Sequence, residues 1–160
     1  MVLHSIAPVY DSSSKILILG SFPSVASREV GFFYGHAQNR FWRVISALLG
    51  TEPPNTVEDK IGLLISHGIA LWDVIASCEI VGSSDSTIKD AVPNDLSVIL
   101  SSANIRAIFV NGKTALKYYD KYMKNKYGRE AACLPSTSPA NAAFSLPRLI
   151  SEWSVIKNCL

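Results

Sequence analysis

The chain has 160 residues and a formal net charge of +2, with 48% hydrophobic and 18% charged residues. This composition excludes a disordered segment, and the length is sufficient for a single domain, 1–160, with its own core. No apolar run reaches the roughly 20 residues that span a membrane, and residues 1–10 lack the pattern of a signal peptide, so we expect a cytoplasmic protein.

The apolar pattern predicts strands that alternate with helices. Strands are predicted at 15–19, 69–74, 106–110 and 131–134, and helices at 39–49, 57–66, from 93 or 94 onwards, at 114–123 and at 146–158. Segments 21–38, 81–90 and 135–143 are predicted loops. The alternation is typical of an α/β fold, a three-layer α/β/α sandwich with a central, mostly parallel, four-stranded sheet. Ligand sites in such sheets lie beyond the carboxyl ends of the strands.

Cysteine and histidine spacing gives no sign of a metal centre. Cys78, Cys133 and Cys159 are far apart, and the three histidines have no ligand spacing. Because structural zinc sites usually need closely spaced Cys or His pairs, we expect no metal and no other cofactor. A charge of +2 is compatible with a polyanionic partner that is bound through a small footprint.

The first polar motif, Gly20-Ser-Phe-Pro-Ser24, follows the first long predicted strand. Gly20 allows a tight turn and Pro23 fixes the loop, so that Ser21, Ser24 and backbone N–H groups could hold a phosphate or a base edge. Taken alone, the pattern is more typical of an ordinary βα turn.

The second motif, residues 31–42, concentrates aromatic residues with a His, an Asn and an Arg before a helix. An aromatic loop is unfavourable in water unless it packs or stacks, and stacking on a base contributes about 1–3 kcal/mol. Phe41 and Trp42 are expected to pack under the sheet edge. Asn39 has two interpretations: it caps the helix, which the residues alone favour, or its amide meets a base or an attacking water.

The third motif, Leu134-Pro-Ser-Thr-Ser-Pro-Ala-Asn141, alternates prolines with hydroxyl residues directly after a strand. Such a stiff loop can grip phosphates on either side of a kink, and residues 139–141 could enter the gap that a flipped nucleotide leaves. A compatible alternative is that Ser138 or Asn141 caps the last helix.

Two weaker features follow other strands. Asp73 could accept from a base edge or orient water, although an Asp at a strand end is more typically a cap or a turn residue. Asn111-Gly112 is a turn dipeptide, and Gly112-Lys113 at a helix start could meet a phosphate. The chain lacks the Walker, GxGxxG and GxSxG motifs and the HxE with PCxxC pair, which excludes the common nucleotide-binding, serine-hydrolase and zinc-deaminase classes.

Together and in this order, the three motifs resemble the uracil-DNA glycosylase superfamily. The arrangement is most similar to its sixth family, the hypoxanthine-DNA glycosylase branch, with the mismatch-specific uracil-DNA glycosylases as the nearest sister group. In uracil-directed relatives the third residue of the first motif is an Asp or Asn, whereas this chain has Phe22. The resemblance therefore favours the hypoxanthine branch, with the working amide at Asn39. Relatives tend to have Pro after the motif histidine, where this chain has Ala37.

The resemblance also implies roles for individual residues. Asn39 would be catalytic, Tyr34 would stack on the flipped base, and His36 would add positive potential or serve as a structural hydrogen bonder. The implied base pocket consists of Gly20, Ser21, Phe22, Tyr34, His36, Asp73 and Asn111. The implied DNA contacts are Pro23, Ser24, Ser136, Thr137, Ser138, Pro139, Ala140 and Asn141.

We therefore expect a monomeric, monofunctional DNA glycosylase of base-excision repair, without metal or Schiff-base lysine, that hydrolyses the N-glycosidic bond of a flipped deaminated base, first of all hypoxanthine. Asn39 would donate to the base or hold the water by its carbonyl oxygen. The alternatives are a mismatch-type uracil or thymine glycosylase, disfavoured by Phe22, a non-catalytic damaged-DNA-binding module, and a small-molecule nucleosidase, which would not need the wedge at 139–141.

Overall fold

The computed structural model describes all residues, 1–160, and contains seven strands and seven α-helices. The strands are β1 (Val2–Leu3), β2 (Ile16–Gly20), β3 (Ile69–Asp73), β4 (Ile75–Glu79), β5 (Lys89–Pro93), β6 (Ala107–Asn111) and β7 (Ala132–Leu134). The helices are α1 (Val25–Val30), α2 (Phe41–Leu49), α3 (Val57–Ser66), α4 (Ser97–Leu100), α5 (Lys113–Tyr122), α6 (Lys124–Tyr127) and α7 (Leu146–Trp153). Short 3₁₀ turns occupy Asp85–Thr87 and Ser154–Cys159.

The central sheet has four parallel strands in the order β3-β2-β6-β7. β2 lies inside the sheet and every one of its residues is buried, which explains its uninterrupted apolar sequence. Its alternate side chains enter two apolar clusters, Ile16 and Ile18 on one face and Leu17 and Leu19 on the other. Helices α2, α3 and α7 complete the first cluster, and α5 with β4 contributes to the second. The predicted three-layer α/β/α sandwich is thereby confirmed.

The register of the sheet determines where the functional loops emerge. Gly20 at the end of β2 pairs with Asp73 at the end of β3, and Asn111 at the end of β6 pairs with Leu134 at the end of β7. Because all four strands are parallel, these residues and the loops that follow them share one edge of the sheet.

Most predicted elements are present with small shifts in their ends. The prediction for 57–66 agrees with α3, whereas the helix expected from 93 or 94 is reduced to the single turn α4. The last predicted helix divides into α7 and the 3₁₀ turn after it. Its N-cap is Ser145, whose Oγ accepts from the backbone N–H of Arg148, so the predicted caps Ser138 and Asn141 were wrong.

A second, antiparallel sheet, β1-β4-β5, was not predicted. β1 has only two residues, and β5 is largely exposed and begins inside the predicted loop 81–90, so neither has the apolar pattern that identifies a strand. Helix α1 likewise lies inside the predicted loop 21–38. None of the helices combines the length and the apolar character that a membrane span requires.

Candidate active site

The carboxyl edge of the central sheet brings the three motifs together. The side chain of Asn39 approaches the loop after β7, and Asn111 at the end of β6 contacts that same loop. Gly20, Asp73 and the hydroxyl of Tyr34 meet at the ends of β2 and β3. Segments separated by about a hundred residues in sequence thus form one polar site over the sheet edge.

The carboxamide of Asn39 has a fixed orientation. Its Oδ1 accepts from the backbone N–H of Phe41 at 2.9 Å and from the hydroxyl of Thr137 at 2.9 Å. A backbone N–H can only donate, so the atom facing it is the oxygen, and the amide nitrogen Nδ2 remains as a donor. The N-cap of α2 is Arg40 and not Asn39 as predicted, but Asn39 satisfies an N–H of the first turn from one residue earlier. This contact uses only Oδ1 and leaves the amide nitrogen available.

Thr137 links the two asparagines of the site. Its hydroxyl accepts from Nδ2 of Asn111 at 3.0 Å and donates to Asn39, while its backbone N–H donates to Oδ1 of Asn111 at 3.0 Å. Thr137 is fully buried. Its side chain therefore holds Asn39 and Asn111 from within the fold, and its burial leaves no surface for the DNA contact that the resemblance implied.

Tyr34 presents a buried hydroxyl that no group satisfies with good hydrogen-bond geometry, although the side-chain amide of Asn111 lies close to it. Its ring stacks on Phe41 with centroids 4.1 Å apart, and its backbone adopts a φ of 52°, which is uncommon for a residue with a side chain. Burial, reinforced by the nearby carboxylate of Asp73 and opposed by the amide of Asn111, raises the pKa of Tyr34, so the hydroxyl keeps its proton. An unsatisfied hydroxyl and a strained backbone at a sheet edge are typical of a binding site.

Gly20 allows the polar groups to approach one another. A Cβ atom at this position would lie 2.4 Å from Oδ1 of Asp73 and 2.9 Å from the hydroxyl of Tyr34, so any side chain would displace them. The turn after β2 therefore requires glycine because of its neighbours rather than its φ angle.

Asp73 is paired with a residue that the sequence analysis did not select. Nε2 of His4 lies 2.8 Å from Oδ2 of Asp73, and both side chains are almost completely buried, at 2% and 5% exposure. His4 stands in the N-terminal segment outside every motif, 69 positions from its partner, and no sequence signal pointed to it.

The first motif lies beside the pair of His4 and Asp73. The ring of Phe22 is buried, meets the ring of His4 edge to face at a centroid distance of 6.0 Å, and lies 5.8 Å from the guanidinium carbon of Arg28. Ser21 donates its hydroxyl to the carboxylate of Asp85. Partial burial of the carboxyl group raises the pKa of Asp85, and the negative charge of Asp73 acts in the same direction. The rest of the Asp85 residue is exposed.

The third motif forms a self-bonded loop with an exposed tip. The hydroxyls of Ser136 and Ser138 accept from the backbone N–H groups of Ser138 and Ala140, and the amide of Asn141 donates to the carbonyl of Ser136. Pro139 and Ala140 are exposed at the tip. These bonds stiffen the loop, as its composition suggested.

Arg40 holds this loop and was also missed. Its guanidinium donates to the carbonyls of Ser138 at 2.8 Å, Asn141 at 3.1 Å and Phe144, and its backbone N–H donates to the carbonyl of Thr137 at 3.1 Å. Carbonyl acceptors are common to every residue, so no side-chain motif could have revealed this clamp.

Three further predicted residues lie at the periphery. Ser24 caps α1 by accepting from the N–H of Ser27, and Pro23 is buried. His36 is exposed and its Nδ1 accepts from the N–H of Gln38. The structure contains no group of three or more His, Cys, Asp or Glu residues arranged to hold a metal ion.

Comparisons with known proteins agree on one family. The profile of the uracil DNA glycosylase superfamily matches residues 7–154. A hypoxanthine DNA glycosylase of Methanosarcina acetivorans is 35% identical over 158 residues, covering 98% of each chain. A hypoxanthine DNA glycosylase of Methanosarcina barkeri is 33% identical over 149 residues, covering 92% of each chain.

A solved structure has the same fold. It is the solution NMR structure of a Methanosarcina acetivorans protein whose name assigns it to the uracil DNA glycosylases. It superposes with a TM-score of 0.83 at 35% identity, over 98% of this chain and 96% of that one.

The fold, the polar site at its carboxyl edge and these relatives define an enzyme that excises a base from DNA. The chain belongs to the uracil DNA glycosylase superfamily. It is a DNA glycosylase, and DNA is therefore its substrate.

Proposed function

We propose that this enzyme excises hypoxanthine from DNA by hydrolysis of the N-glycosidic bond, as a monofunctional glycosylase that leaves an abasic site. The observation that carries the proposal is the orientation of Asn39, whose Oδ1 is held by Phe41 and Thr137 and whose Nδ2 is left as a donor at the carboxyl edge of the sheet. Two similar relatives are named hypoxanthine DNA glycosylases. Phe22 provides no polar atom at the position where the uracil-directed relatives have Asp or Asn.

Cleavage of the bond leaves negative charge on the departing base and positive charge on the sugar. A donor that is already oriented stabilises the developing anion without reorganising at the moment of reaction. Oδ1 of Asn39 is occupied by Phe41 and Thr137, so we assign its Nδ2 to O6 or N7 of the purine rather than its oxygen to the attacking water.

The remaining pocket groups match the Watson–Crick edge of hypoxanthine, which has a donor at N1 and an acceptor at O6. Oδ1 of Asp73 can accept from N1–H, and the unpartnered hydroxyl of Tyr34 can donate to O6. Adenine has the reverse pattern, with an acceptor at N1 and a donor at N6. Asn111 holds the side chain and backbone of Thr137, which in turn orients Asn39.

We further propose that residues 1–160 act as one domain and as a monomer in the cytoplasm, on the DNA of the nucleoid. The loop tip at Pro139 and Ala140 enters the space that the flipped nucleotide leaves, since both residues are exposed and the loop beneath them is held by Arg40. Because inosine mispairs, its extrusion costs less than that of a paired base, which adds to selectivity.

The test is alkali-induced strand cleavage of labelled duplexes that carry one hypoxanthine or one uracil. Wild type is compared with Asn39→Ala and Asn39→Asp. Asp keeps the acceptor for Phe41 and Thr137 but removes the donor, so both variants should lose about 10²–10³ in single-turnover rate, the typical effect of one such donor.

Each other outcome contradicts a different part of the proposal. Full activity in Asn39→Asp would refute the donor role. Cleavage at uracil alone would assign the enzyme to the uracil-directed branch. DNA binding with no cleavage of either lesion would favour a binding module.

A further inference from the structure

We propose that His4 is a positioning residue for base selection: it holds Asp73 as a pure hydrogen-bond acceptor, so that the N-terminal segment completes the base pocket. This inference rests on the proposed function, in which Oδ1 of Asp73 accepts from N1–H of hypoxanthine. His4 lies outside the three motifs that carry the family resemblance.

Both ring nitrogens of His4 have assigned roles. Nδ1 accepts from the backbone N–H of Ile6 at 3.2 Å, so the ring proton is on Nε2, which donates to Oδ2 of Asp73 at 2.8 Å. A neutral imidazole in this tautomer can donate to a carboxylate oxygen but cannot accept a proton from a carboxylic acid at the same atom. The pair is therefore compatible only with Asp73 whose Oδ2 is unprotonated.

Aromatic rings hold the imidazole in this orientation. The ring centroids of Phe22, Phe33 and Trp72 lie 6.0, 6.1 and 6.3 Å from that of His4. A carboxylate in such surroundings is unfavourable unless a donor satisfies it, and His4 supplies the donor. Without it, the buried carboxylate loses the hydrogen bond that decides which of its oxygens faces Gly20.

The second carboxylate oxygen, Oδ1, faces Gly20 at the carboxyl edge of the sheet. Oδ1 of Asp73 approaches Gly20 on the side where the unpartnered hydroxyl of Tyr34 lies. With His4 on Oδ2, this edge offers one acceptor beside one donor. An acceptor at this oxygen suits N1–H of hypoxanthine, whereas N1 of adenine is itself an acceptor and would need a donor here.

The experiment compares single-turnover excision of hypoxanthine and of adenine from otherwise identical duplexes. His4→Leu removes the donor, His4→Gln restores an N–H donor, and His67→Leu is a matched control at the amino end of β3. We expect His4→Leu to lower the ratio of hypoxanthine to adenine excision by roughly tenfold or more, the scale of one mismatched buried hydrogen bond. His4→Gln should recover most of the ratio, and His67→Leu should leave it unchanged.

Asp73→Asn is a second test of the same inference, and it leaves His4 and the aromatic rings around it unchanged. His4 can still donate to its carbonyl oxygen, which leaves the NH₂ facing the base, so we expect the same shift toward adenine. An unchanged ratio in folded His4→Leu overturns the inference, as does a loss of rate on both bases that His4→Gln does not recover. If His4→Leu fails to fold, an unchanged ratio in Asp73→Asn overturns it. A wild type that does not excise hypoxanthine refutes the proposed function instead.

Discussion

Replacing Thr137 by Val tests whether the hydrogen-bond chain beneath the site holds Asn39 in place. Valine has nearly the same shape as threonine but no hydroxyl. The change removes the donor to Oδ1 of Asn39 and the acceptor of Nδ2 of Asn111, both at a fully buried position.

The expected loss of stability follows from these two contacts. A buried polar group left without a partner costs about 1–3 kcal/mol. Nδ2 of Asn111 bears the full effect, whereas Oδ1 of Asn39 keeps its bond to Phe41 and bears less. The sum is about 2–4 kcal/mol, which in a chain of this size lowers Tm by roughly 5–15 °C.

The measurement combines urea unfolding with single-turnover excision, and Thr137→Ser is the control. Serine retains the hydroxyl and loses one methyl group, at a cost of about 1 kcal/mol. We expect Thr137→Val to excise at least about tenfold more slowly than Thr137→Ser, because the Asn39 amide is then held by one hydrogen bond instead of two. Equal stability and equal rates for the two variants would refute the reasoning.

Two further changes probe the loop clamp and the pocket. Arg40→Lys replaces the several donors of a guanidinium by a single ammonium group, so it should lower the free energy of unfolding by about 2–4 kcal/mol. It should also slow excision from duplex DNA more than from single-stranded DNA, because only a duplex has a gap for the loop tip to fill. Equal slowing on both substrates would contradict the clamp. Tyr34→Phe removes a buried hydroxyl without a partner, so calorimetry should show about 1 kcal/mol more stability while excision slows; a less stable variant would contradict this. The folded state raises the pKa of Tyr34 above its ordinary value of 10.0, so above pH 10.0 the unfolded chain releases this proton more readily than the folded protein does. The wild type therefore loses free energy of unfolding as the pH rises beyond 10.0. Tyr34→Phe lacks this proton and should lose less free energy of unfolding over the same pH range.

The sequence alone was sufficient for the architecture of the central sheet. Buried parallel strands need continuous apolar runs, and helices on a core need a repeating apolar face, so both leave local signals in the chain. The three motifs were also visible locally, because their glycines, prolines and clustered aromatic residues interrupt the apolar periodicity of the flanking strands and helices. The second sheet left no such signal, since β1 has two residues and β5 is largely exposed.

Only the tertiary structure decided how the site is assembled. His4 and Asp73 are 69 positions apart in the sequence. Arg40 donates to carbonyls about a hundred positions away, and a backbone carbonyl leaves no signal in the sequence because every residue has one. The orientation of Asn39 likewise depends on Thr137, 98 positions later. Local periodicity determines which segments form strands and helices. A buried polar side chain needs a hydrogen-bond partner, so its orientation depends on the groups that the fold places around it.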